Sequence, residues 1–248
     1  LESADRVAKG ELNIFGNQAH MDFRYAVNPG QPSQVNIDFN QFDFSPLLLV
    51  LNPKHIDDPN LAGLLNGHVG LDFQSGKSEF ARGHIDINRY ILQKTGLKIS
   101  LVKPLSFPVQ YGFFKIDPTV IQFNEQQVVV SGEGNRGNLD VALHGRADLK
   151  VAEFFTSALT SVRGLGDLDL RISGPFKEPI VNGSIDFANT NLLFSFVQSP
   201  IEDLTGSVRI RGGLLTMDRM SGYMGDAPIR VNGKIQTYSD RYPLMDLR

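Results

Sequence analysis

Apolar and polar residues alternate strictly over short runs along most of this chain, which is the pattern of a β-strand with one dry and one wet face. Val69, Leu71 and Phe73 alternate with His68, Gly70 and Asp72; Ile85 and Ile87 with His84, Asp86 and Asn88; Leu139, Val141 and Leu143 with Asp140, Ala142 and His144. The period returns in Leu168, Leu170 and Ile172, in Ile185 and Phe187, in Val208 and Ile210, and in Ile229 and Val231. Glycines open or close most of these runs. Asn-Gly pairs at Asn66-Gly67, Asn182-Gly183 and Asn232-Gly233 suit turns, bulges or bends in a meander. The fold class expected is mainly β: an elongated, curved antiparallel β-sheet repeat enclosing a groove, with two short helices.

Two stretches read as helix. In the first, Ser45 and Pro46 provide a cap and an N1 proline before Leu47 to Leu51, with a further short turn around Leu61 to Leu65. In the second, Val151, Phe154, Phe155, Ala158, Leu159 and Val162 form one apolar stripe, and Asp148 is placed to cap it. What surrounds each helix is alike, which points to an internal repeat. Asp43-Phe44-Ser45 matches Asp148-Leu149-Lys150, the segment from Gly67 to Phe73 matches that from Gly166 to Ile172, and Gly83 to Ile87 matches Gly183 to Phe187. Ser131-Gly132 before Leu139-Asp140-Val141 is echoed by Ser221-Gly222 before Ile229-Arg230-Val231. The division expected is residues 1–42 as strands of a preceding repeat, 43–147 as one module and 148–248 as a second.

Charge and composition narrow the chemistry. With 24 basic and 27 acidic residues the chain carries a net charge of -3, so there is no basic field to hold nucleic acid. The absence of cysteine excludes disulfides, thiol redox chemistry and thiolate metal sites. The longest apolar run, Leu47 to Leu51, is far below the roughly 20 residues of a membrane-crossing helix, so no transmembrane segment is expected. A start at Leu1-Glu2-Ser3, without an initiator Met or signal-peptide pattern, reads as a piece of a longer protein.

Catalytic motifs are not found. Gly132-Glu133-Gly134-Asn135-Arg136-Gly137 matches a dinucleotide-binding fingerprint, but that site must open a helix, and Asp140 to Leu143 reads as strand. A glycine-rich hairpin is the reading preferred. His84, Asp86 and Asn88 share one strand face and are placed to join His68 or His144 at a metal, although a solvated face is the simpler account. Asn182-Gly183-Ser184 is a sequon, better read as a hairpin pair. Neither an enzyme nor a cofactor is expected. Leu192-Leu193-Phe194-Ser195-Phe196-Val197 is apolar on both faces, so Phe194 and Phe196 either border a groove or belong to an interior strand pressed between sheet and helix.

The order of motifs from Asp148 through Arg163-Gly164-Leu165-Gly166 to Ser173-Gly174-Pro175-Phe176-Lys177-Glu178-Pro179 resembles the AsmA-like/TamB family. So does the stretch from Pro200-Ile201-Glu202-Asp203-Leu204 through Ser221-Gly222 to Asn232-Gly233-Lys234-Ile235. The likeness is clearest over residues 148 to 236 and weaker over 40 to 147. Membership would imply a folded-over sheet with an apolar concave face, in a periplasmic protein of a Gram-negative envelope tethered to the inner membrane. It would further imply phospholipid transport to the outer membrane, or assistance to β-barrel proteins assembling there. The groove candidates are then Val69, Leu71, Phe73, Ile85, Ile87, Leu139, Val141, Leu143, Leu168, Leu170, Ile172, Ile185, Phe187, Phe194, Phe196, Val208, Ile210, Ile229 and Val231, with phospholipid acyl chains as partner and an outer-membrane β-barrel as a second. On pattern alone a closed sandwich core is the commoner fate of such faces, and the resemblance favours an open groove. A chaperone working by β-augmentation and an inert spacer are the rival functions.

Overall fold

A computed structural model describes residues 6–51, 58–135, 137–154, 158–238 and 241–247. Among these residues sixteen strands join in a single antiparallel sheet. They are β1 (Val7–Ile14), β2 (Ala19–Ala26), β3 (Pro32–Asp43), β4 (Ala62–Gln74), β5 (Lys77–Lys94), β6 (Leu97–Leu101), β7 (Leu105–Gln110) and β8 (Phe113–Phe123), followed by β9 (Gln126–Asn135), β10 (Asn138–Asp148), β11 (Leu159–Pro175), β12 (Ile180–Phe194), β13 (Ile201–Arg211), β14 (Leu214–Met224), β15 (Ala227–Tyr238) and β16 (Arg241–Leu247). Each pairs with its neighbour in sequence, except that β6 and β7 together fill the place of one long strand between β5 and β8. The helices are α1 (Ser45–Leu51), between β3 and β4, and a 3-10 helix (Leu149–Phe154), between β10 and β11.

A line of bulges creases the sheet. The inward apolar set of β3 runs Val35, Ile37, Phe39 and then slips phase to Phe42, as one extra residue is accommodated between Phe39 and Phe42. Similar slips occur between Phe187 and Thr190 in β12, between Glu202 and Thr205 in β13 and between Met217 and Met220 in β14. The extra residues Gln41, Asn189, Asp203 and Arg219 all adopt positive φ, near +50°. Each inserted N–H donates to a side chain of an adjacent strand: Gln41 to Asn66 Oδ1 (2.7 Å), Arg219 to Asn232 Oδ1 (2.8 Å) and Asn189 to Thr205 Oγ1 (3.3 Å) on the following strand, and Asp203 to Asn191 Oδ1 (3.0 Å) on the preceding one. The Asn-Gly pairs thus lie inside strands. Asn182-Gly183 is the third and fourth residue of β12 and makes no hairpin turn, because Asn182 Oδ1 is used to accept from Gly212 N.

The hairpins β4–β5 and β11–β12 share one register. Gly67, Val69 and Leu71 face Ile87, Ile85 and Gly83, and Gly166, Leu168 and Leu170 face Phe187, Ile185 and Gly183. The helix leading into each begins on the same bond: Asp43 Oδ1 accepts from Ser45 N at 2.9 Å and Asp148 Oδ1 from Lys150 N at 3.0 Å. The third echo differs, since Gly132 faces Val141 whereas Gly222 faces Ile229, two positions earlier.

Two helical expectations are corrected. The stripe from Val151 to Val162 is a 3-10 turn ending at Phe154, and Leu159 to Val162 already belongs to β11, where Val162 is buried opposite Leu192. Phe155 lies outside the described residues. Leu61 to Leu65 forms no turn of helix: Ala62 onward is β4, and Gly63 is kept bare so that the Phe44 ring can lie on it.

The buried core gathers where the helices sit. Leu92, Leu97, Ile99, Phe123, Val128, Ala147 and Phe154 form one cluster, against which Phe44, Leu48 and Val151 pack. Phe44 stacks on Tyr90 with ring centroids 5.4 Å apart, and burial pushes the Tyr90 phenol up. Glu153, 5% exposed, bonds Lys94 Nζ at 2.7 Å and accepts from Val162 N at 2.8 Å, tying the 3-10 helix to β5 and β11. Glu153→Ala removes that carboxylate from a buried ammonium, and a loss of about 3 kcal/mol is expected in urea unfolding. Glu153→Gln keeps the acceptor for Val162 and should lose less. Equal stability of Glu153→Ala and wild type would contradict this role for the pair.

Candidate functional site

Apolar side chains run in rows across the strands on one face of the sheet. Val128, Gly145, Leu168, Ile185, Val208 and Met217 face one another in turn from β9 to β14. A second row joins Val130, Leu143, Leu170, Gly183, Ile210, Leu215 and Ile235. In the first half of the chain Ile37, Val69, Ile85 and Phe107 line up, beside Val35, Leu71, Gly83 and Val109. Phe73 and Ile87 extend these rows towards the two rims, Leu139, Val141 and Ile172 continue them in β10 and β11, and Ile229 and Val231 face Gly222 and Met220.

None of the groove candidates is fully buried, although Leu143 and Leu168 pack against the core cluster. From Val69 to Val231 they are half-buried, and Phe196 is 71% exposed. A sandwich interior would bury most of such a face to a few per cent. Phe194 closes β12, Phe196 follows in a turn, and their rings lie 5.3 Å apart at the rim, so Phe196 is not in an interior strand. Sequence reasoning passed over Phe107 and Val109, because Pro108 interrupts their alternation. It also passed over Phe114, whose ring occupies the space above Gly134.

The rims of the sheet differ in character. At the rim where α1 and the 3-10 helix sit, the inner face is filled by the core cluster. The charges in its turns and strand ends are mainly acidic: Asp43, Asp58, Glu125, Asp148, Glu202 and Asp226, against Lys94, Lys98 and Lys150. The opposite rim is made of turns, with no helix among its described residues. Its exposed apolar side chains include Tyr25, Val27, Phe80, Tyr111, Phe113, Phe176 and Ile180. Phe107, Phe114 and Phe176 form a chain of rings there, with centroids 5.6 and 6.5 Å apart. The charges at this rim include Arg24, Lys77, Arg82, Lys115, Lys177, Arg209 and Arg211 against Asp72, Glu133, Asp140 and Glu178, a basic majority. Arg82 faces Asp72 across the strands, yet its guanidinium lies 4.0 Å from the Tyr111 ring centroid. A cavity of about 450 Å³ opens here among Lys77, Phe80, Arg82 and Tyr111.

The other face of the sheet is polar. Asn13, His20, Asp38, His68, Asp86 and Ser106 face one another across six strands. Along this ladder His20 Nδ1 lies 2.6 Å from Asn13 Oδ1, His68 Nδ1 2.7 Å from Asp38 Oδ1, and the Ser106 hydroxyl donates to Asp86 Oδ1 at 2.5 Å. His84 turns to Ser106, at 2.6 Å, and His144 lies 4.0 Å from Asp169. No group of three ligands suited to a metal occurs among the described residues. His84 and Asp86 are part of this hydrogen-bonded outer surface, whereas Asn88 falls at a register shift between Ile87 and Arg89. Further along, the Arg171 guanidinium donates to both Asp140 oxygens and holds that carboxyl below the usual carboxylate range. The first two glycines of the Gly132 to Gly137 motif lie within β9, and the chain turns straight into β10 at Asn138, giving a hairpin with no helix to receive a pyrophosphate.

Comparison with protein-family models, with curated proteins and with solved structures finds no match.

Proposed function

We propose that the chain is a segment of a periplasmic AsmA-like/TamB protein whose apolar gutter shields phospholipid acyl chains on their way from the inner to the outer membrane. The observation that carries this reading is the partial exposure of a stretch of one row, Leu168, Ile185, Val208 and Met217, from β11 to β14. A lipid tail in water exposes methylenes at about 0.8 kcal/mol each, and a row of aliphatic side chains running across the strands offers cover along its length. The ladder meanwhile keeps the backbone polar groups paired, so an apolar channel wall leaves no amide unsatisfied. Gutter and wet outer face come from the same alternation, so adding strands lengthens the path without a new fold.

The test is photo-crosslinking in cells from a phenylalanine analogue placed at Phe187, at Phe194 or at the outer-face position Asp167. Phospholipid adducts are expected at Phe187 and Phe194 and not at Asp167. No adduct at Phe187, or equal adducts at Asp167, would remove the basis for a lipid path.

A further inference from the structure

Resting on that reading, we infer that lipids lie in the gutter with their phosphate headgroups over the aromatic, basic rim and their tails towards the helix-bearing rim. At the helix-bearing rim the inner face is occupied by Leu92, Leu97, Phe123 and Phe154, so a tail can end against it but a polar head cannot pass. The charge there has the wrong sign for a phosphate, with Asp58, Glu125, Asp148 and Glu202 outnumbering the lysines. The opposite rim supplies what an amphiphile's boundary needs. Tyr111 and Phe176 are about half exposed and form an aromatic border, and Lys77, Arg82 and Lys177 supply positive charge beside it. Arg82 lies over the Tyr111 ring, and with Lys77 it borders a cavity that Asp72, Phe73 and Phe80 also line, so two cations meet one carboxylate there. The ligand class is therefore a phosphate-bearing lipid, held by its tail along the gutter and steered by its head at one rim.

The chain contains no tryptophan, so single reporters are unambiguous. Phe187→Trp reports the gutter, Phe176→Trp the basic rim and Leu47→Trp, on α1, the other rim. Each variant is loaded from vesicles of phosphatidylcholine brominated in its acyl chains or carrying a nitroxide on its headgroup, then separated from the vesicles. Brominated lipid should quench Phe187→Trp, and headgroup nitroxide should quench Phe176→Trp several-fold more than Leu47→Trp. Lys77→Glu with Arg82→Glu should cut the quenching at Phe176→Trp several-fold while bromine quenching at Phe187→Trp persists. Equal nitroxide quenching at both rims, or no effect of the double charge reversal, overturns the orientation and leaves the lipid path standing. Absence of bromine quenching at Phe187→Trp overturns both. Inorganic phosphate alone is the last arm: an emission change at Phe176→Trp equal to that with lipid would mark a free-anion site and overturn the inference.

Discussion

Gly183→Ala and Gly83→Ala are each expected to lower stability by about 3 kcal/mol, read as a lower urea midpoint at unchanged slope. The cause lies in the crowding of paired strands on the curved sheet. A Cβ built on Gly183 would stand 1.9 Å from the carbonyl oxygen of Asp169, and one on Gly83 1.9 Å from that of Gly70. Both obstacles are backbone, so no rotamer change relieves them. Gly183 also has a φ of +134°, in a region that side chains rarely enter. As a domain of this kind retains only about 5–15 kcal/mol, one methyl group removes a large fraction of the margin. Gly76 is the control: it has φ +74° with open space around its missing Cβ, and Gly76→Asn, a residue tolerant of that conformation, should cost under about 1 kcal/mol. If Gly183→Ala unfolds no earlier than Gly76→Asn, the close approach of β11 and β12 at Gly183 does not limit stability.

These two glycines also show what the sequence makes legible. Strict alternation around Gly83 and Gly183 is enough to place β5 and β12, to say which side chains share a face, and to suggest that the two hairpins are equivalent, because a period of two leaves no freedom in facing. The bulges were legible in principle. Ile185 and Phe187 followed by Thr190, Leu192 and Phe194 shift from odd to even positions, and Met217 followed by Met220 does the same. A phase slip inside one run is the mark of an inserted residue, and Asn191 and Asn232, which accept from the inserted N–H groups, stand nearby in the chain or on the next strand. The helical stripe misled because Val151, Phe154 and Val162 are apolar for different reasons: the first two meet the core cluster and Val162 is buried opposite Leu192. Two lie on a 3-10 turn and the third on a strand, and periodicity alone does not separate a continuous helix from two elements that converge. The exposure of the gutter was not legible at all. Whether Ile185 meets another sheet or solvent depends on what folds over it, a long-range property that local alternation does not encode.

That exposure yields the largest effect expected on binding. Ile185→Asp combined with Val208→Asp places two carboxylates opposite each other in the middle of the first row, where an acyl chain would cross. In the empty gutter these groups stay hydrated, since Ile185 and Val208 are only half-buried, so near-native circular dichroism and a modest loss of stability are expected. With lipid present, the tail must either strip water from the charges or lift away from the row. Forfeiting the cover of several methylenes at about 0.8 kcal/mol each, together with partial desolvation of a carboxylate, amounts to roughly 3–5 kcal/mol, a fall of about a hundredfold or more in affinity. Phospholipid recovered with the purified protein, measured by mass spectrometry, should drop to background. Ser184→Asp, one residue away on the outer face, adds a charge without touching the row and should leave the bound lipid unchanged. Undiminished lipid in the double variant, with its fold intact, would mean that tails do not travel along Leu168, Ile185, Val208 and Met217. The half-exposed rows would then be the inner surface of a spacer that carries nothing.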